Sequence, residues 1–557
     1  MSSFMGGTFM KLPTDMMVIL QESATKKKHV ASRLCCTLGP SSSDLQTVCD
    51  LLLSGMKMAR FDFTWGTIES HQETLDVLRE AMKRTQTYCA VLFEAMGREI
   101  VVLNRPKEGI QLQQGQTVIL TCDKTVQACS TVLPVSMLST FEGQGLNVGT
   151  SILIAQYLFT GSDTSSAYLT VEKVAGISCV CRVNNTCKLE GVQLTVHMTD
   201  LSLSNMPALT DEDVKNISTW GKKNQIDFVS VPFVHTGKDI EECRKVLQDC
   251  GLTSTQIMAK IEGVEGLRHA EEIIQAADAI LFSRGNLGVC LDAEKVFLAQ
   301  KRMLRACNLA GKPVYVTRVV DTMAEAPRPT RAEATDVANL VIDGADGIVL
   351  AAETFRGKYP VLTASTVCDI CRQAEEAFDA TGFYQSSMEA LGLYKLAPVI
   401  QKAEALASSA VRLAEKSGAT LMIVFTVTGR TARLLAKYKP RQPILAVVCP
   451  TPITATFSGM RLSKSQATLP RASSTECFAF QGYGSTVLRQ CLTYRGVIPI
   501  MPAEDLAGSV ELLAYAIGYA SSQGLVMAGE RVVISQCPRE YSGNVLSEAG
   551  VVSLVQA

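Results

Sequence analysis

Eight short apolar runs, each followed by a stretch of helical character, constrain this chain more than any other feature of its sequence. The runs are Arg33–Leu38, Met56–Phe61, Tyr88–Phe93, Asp227–Phe233, Gln256–Lys260, Ala279–Ser283, Val314–Thr317 and Gly347–Leu350. Strands alternating with helices are the pattern of a parallel sheet or barrel. Eight such units predict an α/β fold of the (β/α)8 barrel type, whose chemistry gathers at the carboxyl ends of the strands. The polar residues just after these strands are therefore to be taken together as one site.

The fifth run shows what that site can do. It continues as QIMAKIEGVEG, Gln256–Gly266, with Lys260 and Glu262 at the strand's exit and Gly263 and Gly266 as turn or helix-entry residues. Residues two apart on a strand share a face, so an ammonium and a carboxylate project together. One suits an anionic substrate and the other a hard cation. For a KxE on its own, a buried salt bridge is the alternative.

Between the third and fourth runs the helical rhythm stops. Over residues 101–200 short alternating segments such as Thr117–Cys122 and Gly176–Val183 predict an inserted all-β domain. A lid hinged over the barrel mouth would exclude water from a reaction. The barrel then comprises residues 30–100 and 201–384. Residues 385–557 predict a separate α/β domain, with a helix at Gln401–Ser417 and strands near Leu421–Thr426, Ile444–Val448, Gly496–Ile500 and Arg531–Ser535. Within it, residues 457–486 are rich in Ser, Thr, Gln and Gly with little periodicity, as in an exposed insertion. Residues 1–29 are expected to be a mobile N-terminal arm.

Composition bounds the function classes. A chain of 557 residues that is 47% apolar and 19% charged is a soluble globular protein with room for about three domains. Its 53 Lys and Arg balance 54 Asp and Glu, so no global basic field draws it to nucleic acid or an acidic membrane. No apolar run reaches the ~18 residues of a membrane span. The 19 cysteines are odd in number and sit singly in apolar runs, which fits reduced thiols in the cytoplasm. Cys368 and Cys371 form a CxxC without a second pair or a histidine at zinc spacing.

The motifs along the barrel resemble those of the pyruvate kinase family. They are CTLGPSS (Cys36–Ser42), SGMKMAR with FDFTWGT (Ser54–Thr67), AKIEGVEG (Ala259–Gly266), SRGNLGV (Ser283–Val289), AEKVFLAQK (Ala293–Lys301), PRPTRAEATDVAN (Pro327–Asn339) and ETFRGKYP (Glu353–Pro360). The resemblance spans residues 30–557 and makes the inserted β domain a lid and the terminal domain a regulatory one. It implies phosphoryl transfer from phosphoenolpyruvate to ADP, giving pyruvate and ATP in glycolysis, and a cytoplasmic homo-tetramer or a hetero-oligomer with an active relative. In such a reaction charge neutralisation and alignment do most of the work.

By resemblance, Arg60 binds the substrate phosphate, Lys260 stabilises charge during transfer, Gly285 gives a backbone donor to the substrate carboxylate and Thr317 lies on the enolate-protonation path. Glu262 and Asn286 fall at the ligands of Mg2+ or Mn2+, and Asp62, Thr64, Glu94 and Ala95 at a K+ pocket. Thr426, Thr428, Gly429, Arg430 and Thr431 match a phosphate-gripping effector loop for fructose 1,6-bisphosphate. The departures cluster at the site. Asn286 replaces an aspartate, Asp62 an asparagine, Glu94 an aspartate, Ala95 a threonine, Met96 a lysine, Arg98 a proline, Val101 an arginine, Trp65 a histidine and Ala351 a serine. The resemblance therefore implies a pyruvate kinase with attenuated activity, or an inactive pyruvate kinase-like subunit or sensor that keeps the fold and oligomerises. Lys260→Met is expected to lower turnover with little effect on folding.

Overall fold

The computed structural model describes residue 10 and residues 29–143, 145–156, 165–191, 193–198, 206–391, 398–449, 483–502, 509–536 and 551–557. Most of the expected arm and most of the 457–486 insertion lie outside the described residues. Residues 483–486 correct the end of that insertion: they begin the helix Tyr483–Cys491 and bury Ser485 and Thr486.

The eight expected strands form within two residues of their expected ends: β1 Arg33–Thr37, β2 Met56–Asp62, β3 Ala90–Glu94, β4 Phe228–Val231, β5 Gln256–Ile261, β6 Ala279–Phe282, β7 Val314–Thr317 and β8 Gly347–Leu350. Each pairs in parallel with the next, and β8 returns to β1 in the register Arg33↔Gly347, closing the barrel. Alternation along each strand sends one set of side chains inward and the other against the helices. Leu34, Cys36, Ala59, Phe61, Val91 and Phe93 thus join the outer core with the helices, while Cys35, Met58, Leu92 and Phe228 fill the interior. Gly347 is required there. A Cβ at this position would lie 2.2 Å from the ring of Tyr315, its partner on the neighbouring strand, whose hydroxyl reaches the Thr493 carbonyl at 2.8 Å.

The chain leaves the barrel after β3 and returns before β4. In between, a six-stranded sheet runs in the order Leu194–Met198, Ser151–Gln156, Ala167–Ala175, Ser178–Val183, Thr117–Thr121, Val132–Pro134, beside a two-stranded ladder of Ile110–Leu112 and Cys187–Leu189. It has a separate core, including Leu120, Phe141, Ile154 and Leu169. The strand Leu194–Met198 packs against the helix Arg284–Cys290 that follows β6, which brings the inserted domain over the carboxyl ends of the barrel strands.

The terminal α/β sheet has the order Val497–Ile500, Ile444–Val448, Leu421–Thr426, Arg531–Gln536, Val551–Gln556; the last strand, which the sequence did not indicate, is an antiparallel edge. This domain docks on the opposite end of the barrel through buried charge. Arg489 Nε reaches Asp227 at 2.9 Å, Lys439 Nζ reaches Asp346 at 2.8 Å, and Arg33 Nε donates to the Tyr494 carbonyl at 2.8 Å.

Candidate active site

The inward alternation of the barrel strands fixes the floor of the site. Cys35, Met58, Leu92, Met258, Leu281, Tyr315 and Val349 belong to the interior core. Two residues further along the same strands, on the same face, stand Thr37, Arg60, Glu94, Lys260, Ser283, Thr317 and Ala351. Arg60, Glu94, Lys260, Ser283, Thr317 and Ala351 of this layer line one cleft with Asp62, Thr64, Ala95, Met96, Glu99, Gly285 and Asn286. The catalytic and cation-binding candidates of the barrel therefore converge, with Glu262 fully buried against the cleft behind Lys260 and Asn286, whereas Trp65, Arg98 and Val101 do not line it. The loop Thr426–Thr431 lies apart, in the terminal domain.

Charge organises the cleft. Arg60, 2% exposed, donates from Nε to Glu94 Oε2, from Nη2 to Asp62 Oδ2, and from Nη1 to Thr37 Oγ1 at 3.1 Å. Lys260 Nζ lies 2.9 Å from Glu94 Oε1 and 3.2 Å from Glu262 Oε2. The two readings of the KxE hold together, since Lys260 and Glu262 form an ion pair and Lys260 also faces the cleft. Burial opposes the lysine's charge, but Glu262 and Glu94 outweigh it and hold its pKa above the ordinary value. Two cations here meet three carboxylates, a surplus of negative charge that is costly in a buried place. The neighbouring Glu99 responds by keeping its proton: burial, and then the charge on Glu262, push its carboxyl up to about 8.

Glu262 is held by three donors: Phe233 N–H at 2.9 Å on Oε1, and Asn286 Nδ2 at 2.6 Å with Lys260 Nζ on Oε2. A hard divalent ion takes carboxylate and amide oxygens and completes its shell with water and phosphate. Glu262 and, with its amide turned over, Asn286 would supply such oxygens, so the donor set fits Mg2+ or Mn2+. An ion must compete there with the Asn286–Glu262 hydrogen bond, which a pair of ionised carboxylates could not make. The monovalent pocket is a poor fit. Asp62 and Glu94 each already accept from Arg60, Asp62 Oδ1 accepts Thr64 N–H at 3.0 Å, and Ala95 offers no side-chain oxygen.

Two other groups bear on chemistry. Thr317 Oγ1 is buried without a hydrogen-bond partner among the described residues, an arrangement costing about 1–3 kcal/mol unless a ligand or water completes it. Gly285 lies in the first turn of the helix Arg284–Cys290, where a backbone N–H has no intrahelical acceptor.

Sequence reasoning missed the groups that the inserted domain and the β7 turn bring in. Thr195 and His197 line the cleft and share a face of Leu194–Met198, a signal present in that strand's alternation; Thr195 Oγ1 and His197 Nε2 are 3.0 Å apart. Arg318 lines it too, turned in by a left-handed φ of 63° and paired with Asp321 at 2.9 Å. Burial, then Lys260 and Arg318, lower the His197 pKa to about 4. A base whose folded pKa lies below its unfolded one stabilises the fold above about pH 6.5 and loses that contribution as pH falls towards 4. We expect wild type to lose melting temperature between pH 7 and pH 4.5 faster than His197→Gln; parallel curves would remove this role.

The loop Thr426–Thr431 is self-bonded. Gly429, at φ 80°, sends its N–H to Thr426 Oγ1 at 3.0 Å, and Arg430 sends its own to Thr428 Oγ1 at 3.3 Å, at the start of the helix Arg430–Lys437.

A (β/α)8 barrel with a cation-and-carboxylate mouth beneath an inserted β domain defines a class of enzyme fold suited to phosphorylated substrates. Comparison with known proteins places the chain within that class. Residues 29–364 match the family "Pyruvate kinase, barrel domain" and residues 404–545 match "Pyruvate kinase, alpha/beta domain". The chain is 42% identical over 533 residues to pyruvate kinase 2, cytosolic, of Oryza sativa subsp. indica, covering 94% of this chain and 95% of the relative. It is 38% identical to the probable pyruvate kinase, cytosolic isozyme, of Arabidopsis thaliana, covering 90% and 95%. The structure of Cryptosporidium parvum pyruvate kinase in complex with ADP superposes with a TM-score of 0.79 at 28% identity, covering 97% of this chain and 98% of that one. The chain belongs to the pyruvate kinase family, a family of phosphotransferases.

Proposed function

We propose that this chain transfers the phosphoryl group of phosphoenolpyruvate to ADP, at a rate limited by its own internal ion pairs. The observation that carries the reading is Lys260, held by Glu94 and Glu262 in the layer that faces the cleft. Its ammonium stays charged and is placed to meet charge that develops on a moving phosphoryl group. Arg60 is the second cation for that group, and the Thr317 hydroxyl, without a partner among the described residues, suits the path by which the enolate takes its proton. A bound divalent ion, on Glu262 and Asn286, would neutralise phosphate charge. Relatives named cytosolic support action in the cytoplasm.

Attenuation follows from what Arg60 already does. Each guanidinium nitrogen donates to an acceptor inside the protein, so a substrate phosphate must compete with Asp62 and Glu94. The same observation favours a second reading, a non-catalytic pyruvate kinase-like subunit that assembles as a homo-tetramer or with an active relative. A coupled assay with phosphoenolpyruvate, ADP and Mg2+ or Mn2+, with and without K+, separates them. We expect slow turnover independent of K+, and in Asp62→Asn a fall of about tenfold in KM for phosphoenolpyruvate, about 1.4 kcal/mol, as one buried competitor loses its charge. No turnover in wild type, Asp62→Asn or Asn286→Asp would leave the subunit reading.

Regulation by fructose 1,6-bisphosphate is proposed to be weak or absent, because threonine hydroxyls already take the Gly429 and Arg430 amides that an anion would need. Calorimetry should show no tight binding. Tight binding that Arg430→Ala abolishes would overturn this.

A further inference from the structure

We propose that Arg98 is a positioning residue: it ties both connections of the inserted β domain to the barrel rim and, through residue 233, sets the orientation of Glu262. Arg98 is 3% exposed. Its Nη1 and Nη2 fork onto Asp239 Oδ2 and Oδ1 at 2.9 and 2.8 Å, its Nε and Nη2 reach the Met206 carbonyl at 2.9 and 2.7 Å, and Nη1 also reaches the Phe233 carbonyl at 2.9 Å. Residue 98 lies where the chain leaves the barrel and residue 206 where it returns. One guanidinium therefore joins the two connections, and Asp239 anchors it to the start of the helix Gly237–Asp249. Asp213 reinforces the joint, accepting the Met96 and Gly97 amides at 2.8 and 2.9 Å.

The link to the site is short. Phe233 follows β4 at a left-handed φ of 47°, a conformation uncommon for a bulky side chain and held here from both sides. Its carbonyl accepts from Arg98 and its N–H donates to Glu262 Oε1 at 2.9 Å. Releasing the carbonyl lets residue 233 relax and takes a fixed donor from Glu262. Only a planar fork with several donors spans Asp239, Met206 and Phe233 at once; a lysine ammonium is a single point. The catalytic consequence rests on the function proposed above, whereas the clamp itself does not.

The test compares wild type, Arg98→Lys, and Arg98→Ala combined with Asp239→Asn, which leaves no unpaired buried carboxylate if the single alanine variant fails to fold. Amide hydrogen exchange over residues 206–210 and 233–236 is expected to quicken about tenfold or more in both variants. Mn2+ alone, followed by electron paramagnetic resonance, is expected to bind about 10- to 100-fold more weakly, as when a partner orienting a metal ligand is lost. A lower melting temperature with unchanged exchange at both segments overturns the proposal, and so does faster exchange with unchanged Mn2+ affinity. If wild type turns over no phosphoenolpyruvate, the function falls and the exchange still decides the clamp; if it also takes no Mn2+, retained protection of the Phe233 amide in the variants overturns it.

Discussion

Lys260→Met is expected to lower turnover by about 100- to 1000-fold, the usual cost of one contact made in the transition state. Substrate binding should suffer less, because the ammonium meets charge that appears as the phosphoryl group moves. The geometry alters the expectation that folding is indifferent to this change. Lys260 is a shared partner of Glu94 and Glu262, which are 2% and 0% exposed. Without it, two buried carboxylates face each other with less compensation, and at least one should hold its proton to a higher pH. A carboxyl whose folded pKa is raised stabilises the fold at low pH and loses that contribution as pH rises. The variant should therefore melt well below wild type at pH 8 and approach it near pH 5. Turnover equal to wild type would remove Lys260 from the chemistry; an equal melting temperature at both pH values would remove it from the ion-pair network.

Arg489→Ala is expected to cost about 3–5 kcal/mol of stability, the penalty for leaving a buried carboxylate without its partner. Asp227 is fully buried at the amino end of β4, and Arg489 Nε lies 3.0 and 2.9 Å from its two oxygens. Burial pushes the Asp227 pKa up even with Arg489 present, so removing the arginine raises it further. By the same sign, the penalty should be small in acid and grow as pH rises. Calorimetry of Arg489→Ala, Asp227→Asn and the double variant checks this: the double variant should recover much of the loss, since no unpaired charge remains. Additive losses would mean that the pair contributes nothing as a pair.

Part of the site was legible because strand alternation is local. Strand alternation placed Lys260 and Glu262 on one face, and the same two-residue spacing along β2 sets Asp62 beside Arg60 in the structure. The identity of Arg60's other partner was not legible. Glu94 reaches it because β2 and β3 pair in the register Asp62↔Glu94, and register is a property of two strands rather than one. Once that pairing forms, a position matched by motif to a cation pocket becomes an ion pair with the protein's own guanidinium.

The sequence by itself determined the eight barrel strands, the inserted β domain, most of the terminal sheet and the shared face of Lys260 and Glu262, because apolar runs and two-residue alternation are written within each segment; Arg60, Glu94 and Thr317 were marked by their family motifs. Only the tertiary structure decided what those groups touch. Thr195 and His197 enter from a strand that lies within the inserted domain, Arg318 turns inward at a backbone angle that sequence does not reveal, and Arg98 meets Asp239 across more than a hundred residues. The reason is physical: a buried charge takes whatever partner the packed chain brings within hydrogen-bond reach, and that choice is made when the domains dock, not when the strands form.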